Sequence, residues 1–278
     1  MIGEITERIW PAGIDAIEPL GGGITNHNFR VTVGGEGFVL RIGGNDTELL
    51  GIDRRIEHDA ALAAAEQGIG PEVVAFLEPE GYLVTRYVEG EVGRVEPAEA
   101  ATLLRRFHRG RAISGRFDVF DVVEVYERTA RDHGVSLPPG HGAAKEHAES
   151  IRARVGNTEL RPCHDDLLPA NFIHDGERPW IVDWEYAGMG DPAFDLANFA
   201  VNNGLDEEGD RALLEAYGGG DPQGHVLMRF MSDFREAMWG VVQQAVSELD
   251  FDFAGYAAEH FERLARTASE ERFRRALG

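Results

Sequence analysis

The sequence predicts an α+β chain in two unequal parts: strands with one main helix first, then a longer and mainly helical second part. Three observations predict it. Short strand-like runs broken by glycine turns crowd the first part. Apolar side chains at helical spacing take over beyond Gly90, and the change of character happens once. The length of 278 residues exceeds what one minimal core needs and is short for three domains. The division is placed at residues 1–88 and 89–278.

Residues 14–20, 28–33 and 37–42 read as three strands. The first joint carries Gly21-Gly22-Gly23-Ile24-Thr25-Asn26, and the second is the tight turn Gly34-Gly35-Glu36-Gly37, where glycine accommodates positive φ. Residues 54–67 hold alanine and leucine at helical spacing and stop at Gly68. Residues 73–77 and 82–87 alternate like paired strands across Glu80-Gly81. In the second part Pro97 suits a first helical turn, with Leu103, Leu104 and Phe107 on one face. Residues 136–142, rich in proline and glycine, read as a loop between helices. Residues 172–174 and 180–183 form a hairpin around Asp175-Gly176, which brings Asn171 and Asp183 near one another at strand ends. Four further helical stretches finish the chain, broken at residues 218–222.

The formal net charge of -22, from 27 basic and 49 acidic residues, argues against a nucleic-acid or anionic-membrane partner, since both need clustered positive charge. Lys145 is the sole lysine, so every other basic side chain is an arginine. Cys163 is the sole cysteine, which excludes an internal disulfide or a cysteine metal cage and reads as buried filler. The first residues lack the basic start and apolar run of a signal peptide, and no segment approaches membrane-spanning length. The expectation is a soluble, cytoplasmic protein of unspecified oligomeric state.

Chemistry concentrates in His164-Asp165-Asp166-Leu167-Leu168-Pro169-Ala170-Asn171, followed by Ile181-Val182-Asp183-Trp184-Glu185. An aspartate two positions after a histidine, an asparagine five further on, and a later aspartate after a strand is the spacing of phosphoryl-transfer sites of kinase type. Asp166 then serves as the general base or orienting carboxylate for an attacking hydroxyl. Asn171 and Asp183 supply hard oxygen ligands to magnesium, with nucleotide phosphates completing its sphere. Asp165 competes with Asp166 as base, and only the spacing to Asn171 favours Asp166. Gly22, Gly23, Thr25 and Asn26 lie in the glycine-rich joint, which suits both a hairpin turn and a phosphate cradle; no Gly-Lys-Ser/Thr follows, so it is not a Walker loop. A basic residue on the third strand, here Arg41, would meet the phosphates and pair with Glu57 of the next helix. Asp195 reads as a buried anchor for the His164 loop, and His164 as structural. The stretch from Asp183 to Asp195 is too short for a protein-substrate activation segment, which favours a small-molecule acceptor. Trp239, Phe251, Phe253 and Tyr256 suit either a helical core or an aromatic site for a quaternary ammonium group.

From about residue 20 to residue 264 the chain resembles the choline/ethanolamine kinase family, within the wider aminoglycoside-phosphotransferase-like group. Gly22-Gly23-Ile24-Thr25-Asn26-His27-Asn28-Phe29 is similar to the family's nucleotide loop, and Val39-Leu40-Arg41-Ile42 to its strand, which carries arginine in place of lysine. Residues 164–171 resemble the phosphotransferase loop, and Ile181-Val182-Asp183-Trp184-Glu185-Tyr186 its metal-binding motif. The resemblance implies a bilobal protein-kinase-like fold, ATP and magnesium. It also implies that Asn28 joins the nucleotide contacts and that Thr85-Arg86-Tyr87 meets adenine through its backbone, with Thr85 and Tyr87 as named contacts. Trp239-Gly240-Val241-Val242-Gln243 and Tyr256 are similar to the run that builds an ammonium cage. Two positions depart: a second cage tryptophan is Glu236 here, and an acidic position is Asn202. Glu185, Glu236, Trp239 and Tyr256 thus join Asp166 as candidate acceptor contacts, carboxylate partly replacing aromatic. The implied activity is ATP-dependent phosphorylation of the hydroxyl of a small amino alcohol, choline first and ethanolamine second. Aminoglycoside, sugar or thiamine phosphorylation and a catalytically silent nucleotide-binding module are the alternatives.

Overall fold

A computed structural model describes residues 2–21, 26–44, 47–247, 249 and 251–278. The strands β1 (Ala16–Leu20), β2 (Asn26–Val33), β3 (Glu36–Gly43), β4 (Val73–Leu77) and β5 (Tyr82–Arg86) make one antiparallel sheet in the order β1-β2-β3-β5-β4. Gly34 and Gly35, at φ 58° and 81°, make the β2–β3 turn with open space where a Cβ would lie; backbone conformation, not crowding, requires glycine there. Period-two alternation in β3 sends Phe38 and Leu40 into a core with Val31 and Val84, and turns Val39 and Arg41 to the opposite face. A short helix, α1 (Ile2–Ile9), precedes the sheet and buries Ile5 in that core; too few periodic positions precede Pro11 for the sequence to predict it.

Helix α2 (Arg54–Glu66) starts at Asp53, whose side chain accepts from the amides of Arg55 and Ile56. Ala60, Ala61, Ala63 and Ala64 on α2 pack in one core with Leu103, Leu104, Phe107, Phe172 and Ile181, so the sheet part and the helical part share buried surface. Gly70 marks the tightest approach: a Cβ there would lie 2.9 Å from Ala64 Cβ and 3.3 Å from Trp184 Nε1.

Beyond β6 (Glu91–Val92) come α3 (Pro97–His108), α4 (Val119–Asp132), α5 (His141–Val155) and β7 (Arg161–Cys163). Strands β8 (Phe172–His174) and β9 (Pro179–Ile181) form the expected hairpin, extended to three strands by β6, while β10 (Gly188–Gly190) pairs with β7. Strand β9 ends two residues earlier than expected because the Val182 amide turns to the Asn171 carbonyl (3.0 Å) and Asp183 adopts φ 66°. Then follow α6 (Pro192–Asn202), α7 (Glu207–Tyr217), α8 (Pro222–Val246), α9 (Phe253–Ser269) and α10 (Glu271–Leu277). These are five helices among the described residues where four were expected; the extra break is Glu270, extended at ψ 141° between α9 and α10. Asp191-Pro192 and Asp221-Pro222 start α6 and α8 alike, a capping carboxylate followed by a proline whose missing N–H costs nothing at N1. Helix α8 is buried along most of its length, the centre of a core shared with α4, α5, α6 and α9. Among the described residues no helix is long and apolar enough to cross a membrane.

Phe107 is fully buried, with its ring 4.5 Å from that of Trp184. Phe107→Ala is expected to cost about 3–5 kcal/mol, read as a lower urea midpoint at unchanged m-value.

Candidate active site

Helix α6 builds the loop at 164–171 from below. The Asp195 carboxylate accepts the backbone N–H groups of His164 (3.0 Å) and Asp165 (2.8 Å) and the His108 Nε2–H (2.9 Å). One turn along, Asn198 Oδ1 accepts the Leu167 N–H at 2.6 Å. Burial lowers the His164 pKa, so its ring is neutral; Nε2–H donates to Val182 O (3.0 Å) and Nδ1 accepts the Asp166 N–H (3.2 Å). That one ring therefore joins the Asp166 loop to the segment carrying Asp183, which is a positioning role. Asp165 stands at φ 67°, fully buried, and neither of its carboxylate oxygens meets a hydrogen-bond partner. Burial first, then the neighbouring Asp195, pushes its pKa well up, and the carboxyl is turned away from solvent.

Asp166 faces the other way. Its Oδ1 accepts from Arg235 Nη1 at 2.8 Å, and Asn171 Nδ2 donates to its backbone carbonyl at 2.8 Å. Burial raises the Asp166 pKa against the pull of Arg235, with Glu236 adding to the rise. The Asn171 amide nitrogen is thereby occupied, and the residue lines a cleft of about 310 Å³ together with Asp183, Arg41, Glu57 and Asn28.

Arg41 bridges Glu57 and Asp183; the latter contact is 2.8 Å, and burial of the guanidinium is overcome by Asp183 and Glu57, raising its pKa. Asn28 is the cross-strand neighbour of Arg41. Arg54 forms a second bridge, to Glu57 (2.7 Å) and Glu185 (3.2 Å), and also donates to Asn26 Oδ1 (2.8 Å), while Asn26 Nδ2 donates to Glu185 (2.8 Å). Glu185, expected at the acceptor, is thus a partner of Asn26 and Arg54. Asn28 Oδ1 is buried without a hydrogen-bond donor, and Asp183 Oδ1 meets Arg41 Nη1 at 2.8 Å as an ion pair. A carboxylate and an amide oxygen, from Asp183 and Asn171, lining one cleft are hard donors suited to a divalent cation.

Leu20, Val39, Leu83, Ile173 and Val182 give the cleft apolar walls, and Thr85 and Tyr87 lie at its rim. The amides of Arg86 and Tyr87 already donate to Glu72 O (2.8 Å) and Gly37 O (3.0 Å). A base edge meeting this backbone therefore finds carbonyls, or amides after Tyr87, rather than those two N–H groups. Gly22, Gly23 and Thr25 lie outside the described residues.

On the far side of Asp166 the α8–α9 junction brings Trp239 and Tyr256 together, rings 5.7 Å apart and crossed at 71°. Trp239 Nε1 donates to Tyr186 OH (3.2 Å), and Tyr256 OH donates to Glu236 Oε2 (2.8 Å). Arg235 pairs with Glu236 as well as with Asp166. Sequence reasoning missed Arg54, Arg235, His108 and Asn198. Asn198, three after Asp195 on one helix face, carried a readable signal; Arg54 and Arg235 are two arginines among many, and His108 lies far from its partner in sequence.

The phosphotransferase enzyme family matches over residues 16–230. Protein LicA of Haemophilus influenzae is 30% identical over 207 residues, which cover 70% of this chain and 61% of that protein. The chain thus spans less than two thirds of that relative's length. A solved choline/ethanolamine kinase family protein from Mesorhizobium loti is 32% identical, covering 99% of this chain and 97% of its own, at a TM-score of 0.84. The fold also matches the choline kinase LicA of Streptococcus pneumoniae, at a TM-score of 0.83, 22% identity and coverage of 96% and 98%.

Burial would raise the Asp195 carboxyl, but the His108 hydrogen bond and charge and the His164 amide hold it below the ordinary carboxylate range. Its contribution to stability is then complete above about pH 4 and is lost as pH falls through the depressed folded value. Asp195→Asn is expected to lose about 3 kcal/mol at neutral pH and to show a flatter decline in urea midpoint than the wild type on acidification below about pH 4.

Proposed function

The chain belongs to the phosphotransferase enzyme family and, within it, to the choline/ethanolamine kinase family, and from that premise we propose that it transfers the γ-phosphate of ATP to the hydroxyl of a small amino alcohol, choline first and ethanolamine second. The proposal treats it as a cytoplasmic enzyme with residues 1–88 as the nucleotide-binding lobe and 89–278 as the catalytic lobe. One observation carries the reading: Asn171 and Asp183 open on the cleft that holds Arg41 and Glu57, while Asp166, five residues before Asn171, is bonded toward the Trp239–Tyr256 group. The donor side in this reading lies at that cleft and the acceptor side at the crossed Trp239–Tyr256 rings.

In this reading the apolar walls around Val39 and Leu83 take the adenine against the backbone at Thr85–Tyr87. Asn26, Asn28 and Arg41 stand on the phosphate side, Gly22, Gly23 and Thr25 join the nucleotide contacts by the family resemblance alone, and Glu57 keeps Arg41 aimed. Asn171 and Asp183 would hold magnesium, which supplies charge neutralisation along the phosphates. Asp166 orients the acceptor hydroxyl and takes its proton as the oxygen attacks the phosphoryl group, a step that depends mainly on alignment. The crossed faces of Trp239 and Tyr256 receive the ammonium group by cation–π attraction, with Glu236 bonded to the Tyr256 hydroxyl and to Arg235 beside them. Asp165, fully buried and without hydrogen-bond contacts at its carboxyl oxygens, is not the base in this reading.

Magnesium-dependent ADP release, followed with choline, ethanolamine, thiamine and an aminoglycoside side by side, tests the proposal. Saturation by choline and ethanolamine is expected, with Asp166→Ala and Asp183→Ala each lowering kcat by roughly 10³-fold while melting within a few degrees of the wild type. Trp239→Ala should raise the KM for choline by about tenfold. Saturation only by thiamine or the aminoglycoside, or full turnover by either aspartate variant, overturns the assignment.

A further inference from the structure

Arg235 is the largest fully buried side chain of the molecule, at 1% exposure, and it touches the catalytic loop from α8. Its Nη1 is shared between Asp166 Oδ1 (2.8 Å) and Glu236 Oε1, while its plane lies over the Tyr186 ring, 4.4 Å from the centroid. Its Nε and Nη2 meet no hydrogen-bond acceptor. Leaving two donors of a buried cation unbonded is costly, so an arginine here has to be offset by what Nη1 does. The guanidinium as a whole joins Asp166 to the Trp239–Tyr256 pair. Nη1 reaches Tyr256 through Glu236, whose other oxygen accepts from Tyr256 OH at 2.8 Å, and the guanidinium face reaches Trp239 through Tyr186, whose hydroxyl accepts from Trp239 Nε1 at 3.2 Å.

Resting on the reading of Asp166 as the base, we propose that Arg235 is a positioning residue that couples the base to the acceptor walls, and that Glu236 acts on the guanidinium rather than on the acceptor's ammonium group. Both oxygens of Glu236 already accept hydrogen bonds within the protein, and its charge is met by Arg235. The ammonium charge is then left to the ring faces. Ring faces reward a quaternary ammonium, which has no N–H to donate, whereas a free carboxylate would reward a primary one. The coupling therefore favours choline over ethanolamine.

The test compares kcat and KM for choline and ethanolamine in the wild type and in Glu236→Gln, Arg235→Lys and Arg235→Met, each checked by thermal melting. An interaction that aligns the base lowers kcat with little change in KM, and one that binds the ammonium does the reverse. Expected are a kcat at least tenfold lower for Arg235→Met, partial recovery in Arg235→Lys, and for Glu236→Gln a severalfold lower kcat with acceptor KM within twofold. Wild-type kcat in Arg235→Met, or an acceptor KM raised tenfold at unchanged kcat in Glu236→Gln, overturns the inference. If Arg235→Met does not fold, Arg235→Lys and Glu236→Gln carry the same kinetic contrast. The slow hydrolysis of ATP by water is measured alongside, because it uses the base without an amino alcohol. A wild type that hydrolyses ATP but phosphorylates neither amino alcohol refutes the proposed acceptor, and Arg235 is then judged on the water reaction by the same kcat criterion.

Discussion

Buried carboxylates set the terms for this molecule. Asp166, Asp183, Glu57, Glu185 and Glu236 lie in or against one interior region, and isolated ionised groups are not stable there. Three guanidiniums meet the demand, each shared between two acids: Arg41 between Glu57 and Asp183, Arg54 between Glu57 and Glu185, and Arg235 between Asp166 and Glu236. A flat, permanently charged fork can span two carboxylates in a way that a single ammonium point charge does less well. A chain whose basic residues are almost all arginine has that tool available at every position.

The fold delivers these forks from three directions, β3 for Arg41, the first turn of α2 for Arg54 and the middle of α8 for Arg235. Arg41 leaves the sheet on the face opposite Leu40, so the register of β3 decides whether it reaches Glu57 or solvent. The catalytic loop is fixed independently. Asp195 and Asn198 of α6 occupy its amides, and the neutral His164 ring ties it to Val182 beside Asp183. Base and metal-ligand candidates thus sit on a scaffold whose geometry does not depend on the ion pairs it carries, which lets the pairs be used in recognition.

Much of this was legible because the responsible signals are local. The glycine turn at Gly34-Gly35, the helix stop at Gly68 and the histidine-to-asparagine spacing all act over a few residues, and the β2–β3 hairpin, the end of α2 and the loop at 164–171 follow from them. What was not legible is long-range. The bond from Arg235 to Asp166 spans 69 positions and that from Asn26 to Glu185 spans 159, and no periodicity reports which arginine meets which acid. Glu185 has the same long reach: its partners Asn26 and Arg54 come from the sheet and α2. The terminal part holds one helix more than the four expected, and between α9 and α10 only a single extended residue, Glu270, makes the break.

Counted together, the five carboxylates outnumber the three guanidiniums by two. On the proposed reading that excess explains the order of requirements in the site. Nucleotide phosphates alone would add like charge to a negative interior, so a divalent cation at Asn171 and Asp183 is a condition of entry as much as a catalyst. On the acceptor side the same excess favours a cation, but Arg235 has already neutralised the nearest carboxylate, Glu236. The attraction that remains is diffuse potential plus the ring faces of Trp239 and Tyr256, which hold charge without offering a hydrogen-bond acceptor. On that reading a pair of ring faces selects for charge and apolar bulk together, and leaves the hydroxyl as the one group of an amino alcohol that needs a directed contact, the contact proposed for Asp166.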